Sequence, residues 1–183
     1  MRNLRILQAR DTTYSGVLGK AGAPDRIGTV FVAPGVGSSG TLTLSGVQTN
    51  SNDLVVETNA MVKLTGAWKG PVDVYGMICG TGTIDGNLTL NDGATLKVDD
   101  SGALAVSGAF TATGAISIEL PEGALGGSQR KCMLLSSTES VDLSGATFTL
   151  TVGGEPVKMA DYGFSVFRGR LMLKRNGSVY TIR

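Results

Sequence analysis

From Leu42 to Ile118 the chain repeats one short phrase: two aliphatic residues with one residue between them, polar or small in every pair but Leu54/Val56, and turns that commonly hold glycine. The pairs are Leu42/Leu44, Leu54/Val56, Val62/Leu64, Val72/Val74, Leu88/Leu90, Leu96/Val98, Leu104/Val106 and Ile116/Ile118. Alternation of this kind puts both aliphatic side chains on one face of an extended strand and the residue between them on the other. Ser45-Gly46, Thr65-Gly66, Asp85-Gly86, Asn91-Asp92-Gly93, Ser101-Gly102, Ser107-Gly108 and Thr113-Gly114 separate the pairs. Glycine is scattered through most of the span from Gly16 to Gly154. Each one inside a helix would cost about 1 kcal/mol relative to alanine, so helices are disfavoured and the fold is expected to be all-β.

Two all-β architectures satisfy this pattern. In a meander, LTLNDGATLKV (Leu88–Val98) is a hairpin, because Asp-Gly between alternating runs is a strong local hairpin signal. In a solenoid the same turn is a corner, and each strand pairs with the coils above and below it. Three such strands would make a coil of about 20–30 residues. Strands with only two inward side chains, and an aromatic content of 5%, lean toward the solenoid.

Composition limits the function classes. With 42% apolar and 17% charged residues, the chain is neither a disordered tail nor a linker. The net charge of +1 is uneven. Residues 1–26 carry five basic and two acidic side chains, 27–129 three and nine, and 130–183 eight and four. The acidic middle argues against a nucleic-acid partner, which would require a continuous basic face. Cys79 and Cys132, without metal-ligand spacing, read as two buried thiols in apolar strands, with a disulfide between them as the alternative. No apolar stretch has the length of a membrane-spanning helix, so direct membrane insertion is not expected. MRNLRILQARDTTYSG has scattered arginines and lacks the apolar core of a secretory signal.

Candidate sites are few. Asp99-Asp100 is an adjacent carboxylate pair of the kind used in polysaccharide hydrolysis, but with Ser101-Gly102 it also reads as an Asx turn. GTGTIDGN (Gly80–Asn87) has partial calcium-loop spacing without the oxygens calcium needs. It also lacks the helix a phosphate loop requires, so Gly80, Gly82 and Gly86 are expected at tight corners. Trp68, the single tryptophan, and Tyr75 are the candidate glycan contact, against the alternative that Trp68 closes a core edge. With no histidine and no G-x-S-x-G, triad-type catalysis is excluded. The expectation is a protein that is not an enzyme, with no catalytic residue, cofactor or metal.

TYSGVLGKAG (Thr13–Gly22) followed by GTLTLSG (Gly40–Gly46), and then GTGTIDGNLTLNDGATLKV (Gly80–Val98), resembles the autotransporter-associated β-strand repeat. The tail, with KCMLLSST and RLMLKRNGSVYTIR, is similar to the way such arrays end. The resemblance implies a right-handed parallel β-helix, a three-sided solenoid, with a C-terminal antiparallel β cap. On this basis residues 1–28 are the first or a truncated coil, 29–130 the β-helix coils and 131–183 the cap, where Phe148, Phe164, Phe167 and Tyr180 supply bulk. Asn176-Gly177, between Leu171–Lys174 and Ser178–Ile182, is expected to turn a hairpin. The implied function is a structural or adhesive segment of a bacterial surface or secreted protein, part of a longer chain. The alternative is a carbohydrate-binding or degenerate polysaccharide-lyase-like module. Implied partners are an upstream segment of the same parent chain and a surface glycan or host matrix.

Overall fold

The computed structural model describes residues 2–18, 27–36, 40–100, 102–125 and 131–176. Within them the chain is all-β, with a single 3-10 turn at Met159–Asp161 and no α-helix. The strands are β1 (Arg2–Gln8), β2 (Thr12–Tyr14), β3 (Ile27–Pro34), β4 (Thr41–Leu44), β5 (Asp53–Val56), β6 (Met61–Leu64) and β7 (Ala67–Lys69). Then come β8 (Val72–Val74), β9 (Met77–Gly80), β10 (Thr83–Asp85), β11 (Leu88–Leu90), β12 (Thr95–Lys97), β13 (Leu104–Val106) and β14 (Phe110–Leu120). The last are β15 (Lys131–Ser137), β16 (Val141–Val152), β17 (Glu155–Val157), β18 (Tyr162–Phe167) and β19 (Arg170–Arg175).

Pairing between these strands is parallel until near the C-terminal end, and it forms three ladders around one core. The first runs β1-β3-β5-β8-β11-β14, the second β2-β4-β6-β9-β12-β14, and the third β7-β10-β13-β15. The first two belong to a single 13-stranded sheet because β14 bends at Gly114 and contributes its first half to one ladder and its second half to the other. The third lies in a 6-stranded sheet. The result is a solenoid-like parallel sheet.

This pairing decides between the hairpin and the corner. β11 pairs with β8 and β14, and β12 with β9 and β14, so the two runs of LTLNDGATLKV do not meet. Gly93, at φ 82°, turns a corner between them, closed by Ala94 N–H donating to the Asn91 carbonyl at 2.9 Å. Coils are shorter than expected in the middle of the chain and longer toward the ends. Ala67 aligns with Thr83, sixteen residues on, whereas Ile118 aligns with Leu150, thirty-two residues on. The short coils arise because only two residues separate β7 from β8, β8 from β9, and β9 from β10.

Register turns the alternation into columns. Leu42, Val62, Ile78, Leu96, Ile118 and Leu150 are successive partners in the second ladder. Val30, Leu54, Val72, Leu88 and Phe110 do the same in the first. Every member of the eight pairs read from the sequence is buried. Each such side chain contributes about 1.5–3 kcal/mol when covered, and the coils on either side supply the cover.

The corners need glycine for a different reason. Rungs lie about 4.8 Å apart, and where the chain turns, one corner sits directly over the next. A Cβ on Gly66 would stand 2.1 Å from the Gly46 carbonyl oxygen, and one on Gly82 2.4 Å from that of Gly66. Gly86 would meet the Gly70 carbonyl oxygen at 2.4 Å in the same way. Two glycine columns therefore flank the third ladder, which is the structural meaning of the spacing in GTGTIDGN.

Residues 45–52 add no full strand to the third ladder but reach β7 through their backbone. Gln48 N–H donates to the Ala67 carbonyl at 2.8 Å and Asn52 N–H to that of Lys69 at 3.0 Å, while side-chain amides tie the segment to the preceding coil. The buried Gln48 accepts from Leu18 N–H at 2.7 Å and donates to the Gly16 carbonyl at 2.8 Å, and Asn52 donates to the Leu18 carbonyl at 3.3 Å.

The parallel pattern continues past Lys131, with β15 beside β13 and β16 beside β14. Antiparallel pairing then takes over: β17 on β16, β19 on β15, and β18 on β19. The β18–β19 hairpin turns at Arg168-Gly169, both at positive φ. Phe164 in β18 packs on Phe148 of β16, ring centroids 4.5 Å apart. The strand Leu171–Lys174 is thus the second arm of a hairpin with β18, and the Gly177–Arg183 part of the expected Asn176-Gly177 hairpin lies outside the described residues.

Candidate functional site

Between the two core residues of each strand sits one residue that faces outward, and on the first ladder these outward residues form a cleft. Register places Arg5 beside Phe31, Phe31 beside Val55, and Val55 beside Asp73. One step along, Leu7 aligns with Ala33. Arg5, Leu7, Phe31, Ala33, Val55 and Tyr75 line a cleft of about 420 Å³. Leu7 is 65% and Tyr75 42% exposed. Arg5 Nη2 donates to Glu57 Oε2 at 2.5 Å, spanning the intervening strand β3. The cleft therefore offers aromatic and aliphatic surface beside a guanidinium–carboxylate pair, a combination that suits a ligand with apolar faces and hydroxyl edges.

Tyr75, one of the two aromatic residues singled out in the sequence, is part of this cleft. Trp68 is not. Its side chain is completely buried, stacked in the third ladder beside Ile84, with Nε1–H donating to the Asn52 carbonyl at 3.0 Å. It fills the interior at the coil where third-side packing begins and presents no ring face to solvent. Of its two readings, the core-closing one describes this environment, and the two aromatics do not form a common platform.

The Asp99-Asp100 segment is a turn. Gly102 N–H donates to the Asp99 carbonyl at 3.2 Å, and Asp99 and Gly102 form an isolated antiparallel bridge. Asp99 Oδ2 lies 2.7 Å from Lys63 Nζ, and this partnership raises the Lys63 pKa. Lys63 aligns with Cys79 on the next rung, so the ion pair reaches across the rung that carries the thiol. Burial, followed by the nearby Asp99 carboxylate, pushes the Cys79 thiol up to about 11. Such a thiol is a poor nucleophile at neutral pH. Cys132 is half-buried, also raised by burial, and both cysteines are free. Clefts of about 430 and 340 Å³ flank the Asp99-Asp100 turn.

The corner residues hold the scaffold. Asn87 Oδ1 accepts from Ala109 N–H at 3.0 Å and Asp92 Oδ1 from Ala115 N–H at 2.7 Å, each reaching the next coil. Among the described residues no group of His, Cys, Asp or Glu has the arrangement of a metal centre.

Sequence reading missed Arg5, Leu7, Phe31 and Glu57. A signal existed: they are the outward partners of Leu4/Ile6, Val30/Val32 and Leu54/Val56. It becomes visible only when the coil length is known.

No family model, no curated protein and no solved structure matches this chain.

Proposed function

We propose that the chain is a structural or adhesive segment whose solenoid-like sheet is a right-handed, three-sided β-helix, closed at its C-terminal end by an antiparallel β cap. Right-handedness follows the general preference of parallel crossovers. The single observation that carries the reading is the unbroken register column Leu42–Val62–Ile78–Leu96–Ile118–Leu150. Together with the glycine corners, it commits most of the chain to building an elongated surface. Phe164 on Phe148 supports the cap, because it places aromatic bulk where the parallel stack ends. The likeness to autotransporter-associated repeats points to a bacterial surface or secreted protein, with partners in the parent chain and in surface glycans or host matrix.

The cleft around Phe31 and Tyr75 favours a second reading, a carbohydrate-binding face. A panel of polysaccharides assayed for binding and for reducing-end release separates the two. The structural or adhesive reading expects no release of reducing ends and a response that Tyr75→Ala leaves unchanged. Saturable binding that Tyr75→Ala abolishes would establish the second reading, and release of reducing ends would overturn the non-enzymatic assignment.

A further inference from the structure

β18 is the outermost strand of the 6-stranded sheet, and its far edge pairs with no described strand. Exposed edges are commonly guarded by lysine, proline or inward charges. Tyr162–Phe167, read YGFSVF, contains none of these. Two of its side chains are conspicuously bare, Val166 at 52% and Phe167 at 66% exposure. Charge appears only at its two ends, negative at Asp161 and positive at Arg168.

We propose that two copies of this chain pair antiparallel through β18, joining their 6-stranded sheets into one. Antiparallel pairing sets the Asp161 end of one copy beside the Arg168 end of the other, whereas a parallel arrangement would set like beside like. A two-fold axis perpendicular to the sheet requires paired residues to share a face, and this restricts the register. With Ser165 on the axis, Phe164 stands opposite Val166 of the second copy, Gly163 opposite Phe167, and Tyr162 opposite Arg168. This register covers both bare side chains. Phe167 lies over a glycine that leaves room for its ring, and Val166 extends the apolar face that Phe164 begins. Contact through a single six-residue strand makes the dimer weak and concentration-dependent.

The test is sedimentation analysis of the full chain over a wide concentration range, with three single variants and one double variant at exposed sites. Wild type forms a dimer. Ser165→Lys and Ser165→Glu each set like charges on the axis and weaken association by at least about tenfold. An equimolar mixture of the two recovers it as a heterodimer. Arg168→Asp, which keeps a residue type tolerant of φ 48°, weakens it as well, and adding Asp161→Lys restores it. Circular dichroism confirms that each variant is folded. A wild type that stays monomeric, a Ser165→Lys protein that associates as well as wild type, or a mixture no tighter than its components would each overturn the proposal.

Discussion

Gly66→Ala tests whether the corners set the rung spacing. The added Cβ would sit 2.1 Å from the Gly46 carbonyl oxygen and 2.6 Å from the Ser45 carbonyl carbon, where ordinary contact begins at 3.4 Å. The obstacle is backbone, so relief requires the two corners to separate by more than 1 Å. That movement breaks or stretches Gly66 N–H to the Leu44 carbonyl, now 3.0 Å, and Ala67 N–H to the Gly46 carbonyl, now 3.1 Å. Two weakened backbone bonds at roughly 1 kcal/mol each, added to an overpacking cost of about 1–3 kcal/mol, give a loss of about 3–5 kcal/mol. For a domain of this size that lowers the melting temperature by roughly 6–20 °C. Gly145→Ala is the matched control. Its nearest neighbour would be Thr113 Cγ2 at 3.4 Å, and like Gly66 it does not occupy the left-handed region. It should be neutral or stabilise by about 0.4–1 kcal/mol through the unfolded chain. Calorimetry, supported by urea titration with an unchanged slope, reads both variants. If Gly66→Ala and Gly145→Ala melted together, close packing of corner over corner would not be what demands glycine.

Three further outcomes follow from the same geometry. Trp68→Ala should cost about 4 kcal/mol, seen as a melting temperature lower by roughly 8–16 °C, while Trp68→Phe should cost about 1 kcal/mol for the lost bond to Asn52; equal losses would contradict the buried position. Because the Cys79 pKa is raised from 9.0 to about 11, the thiol's contribution to stability is complete below pH 9 and fades as pH climbs toward 11. The loss is on the order of 2 kcal/mol, absent in Cys79→Ala and measurable by urea unfolding across that window. Alkylation at pH 8 should be slow in the folded chain and faster in Asp99→Asn, which removes the carboxylate that helps hold the thiol protonated. Deleting residues 67–82 removes one whole coil and brings Thr83 into the register of Ala67, so the shortened chain should fold with a β-type circular dichroism spectrum. Deleting residues 67–81 instead shifts the following strand by one residue, turns its core face outward and should unfold it.

The core of this fold was legible because burial follows a local rule. Leu42/Leu44 and its seven companion pairs declare which face is inward without reference to any other part of the chain. Glycine corners were legible for the same reason, although the sequence alone did not distinguish a hairpin at Asp92-Gly93 from a corner. Local chemistry there is the same in both, and only the pairing of β11 and β12 with other coils separates them. Trp68 shows the opposite limit. It occurs in AWKG, next to two corner glycines, where a short strand looks like a turn, yet its ring points into the core and finds the Asn52 carbonyl.

The outer surface follows no local rule, and there the reading failed. An outward column such as Arg5–Phe31–Val55–Asp73 is set entirely by coil length. That length is sixteen residues between Ala67 and Thr83 and thirty-two between Ile118 and Leu150. The inward columns tolerate this variation, because any aliphatic residue will fill the next layer, so selection for stability leaves no fixed period to read. Any binding chemistry on the outside must therefore be assembled from residues whose spacing is irregular, as with Arg5 and Glu57, fifty-two positions apart and 2.5 Å from each other. It follows that inserting one residue at a loop tip far from the cleft is harmless, whereas a one-residue slip within β3 is doubly costly. Such a slip moves Val30 and Val32 outward, and in the same step it takes Phe31 away from Arg5 and Val55, so stability and the cleft are lost together.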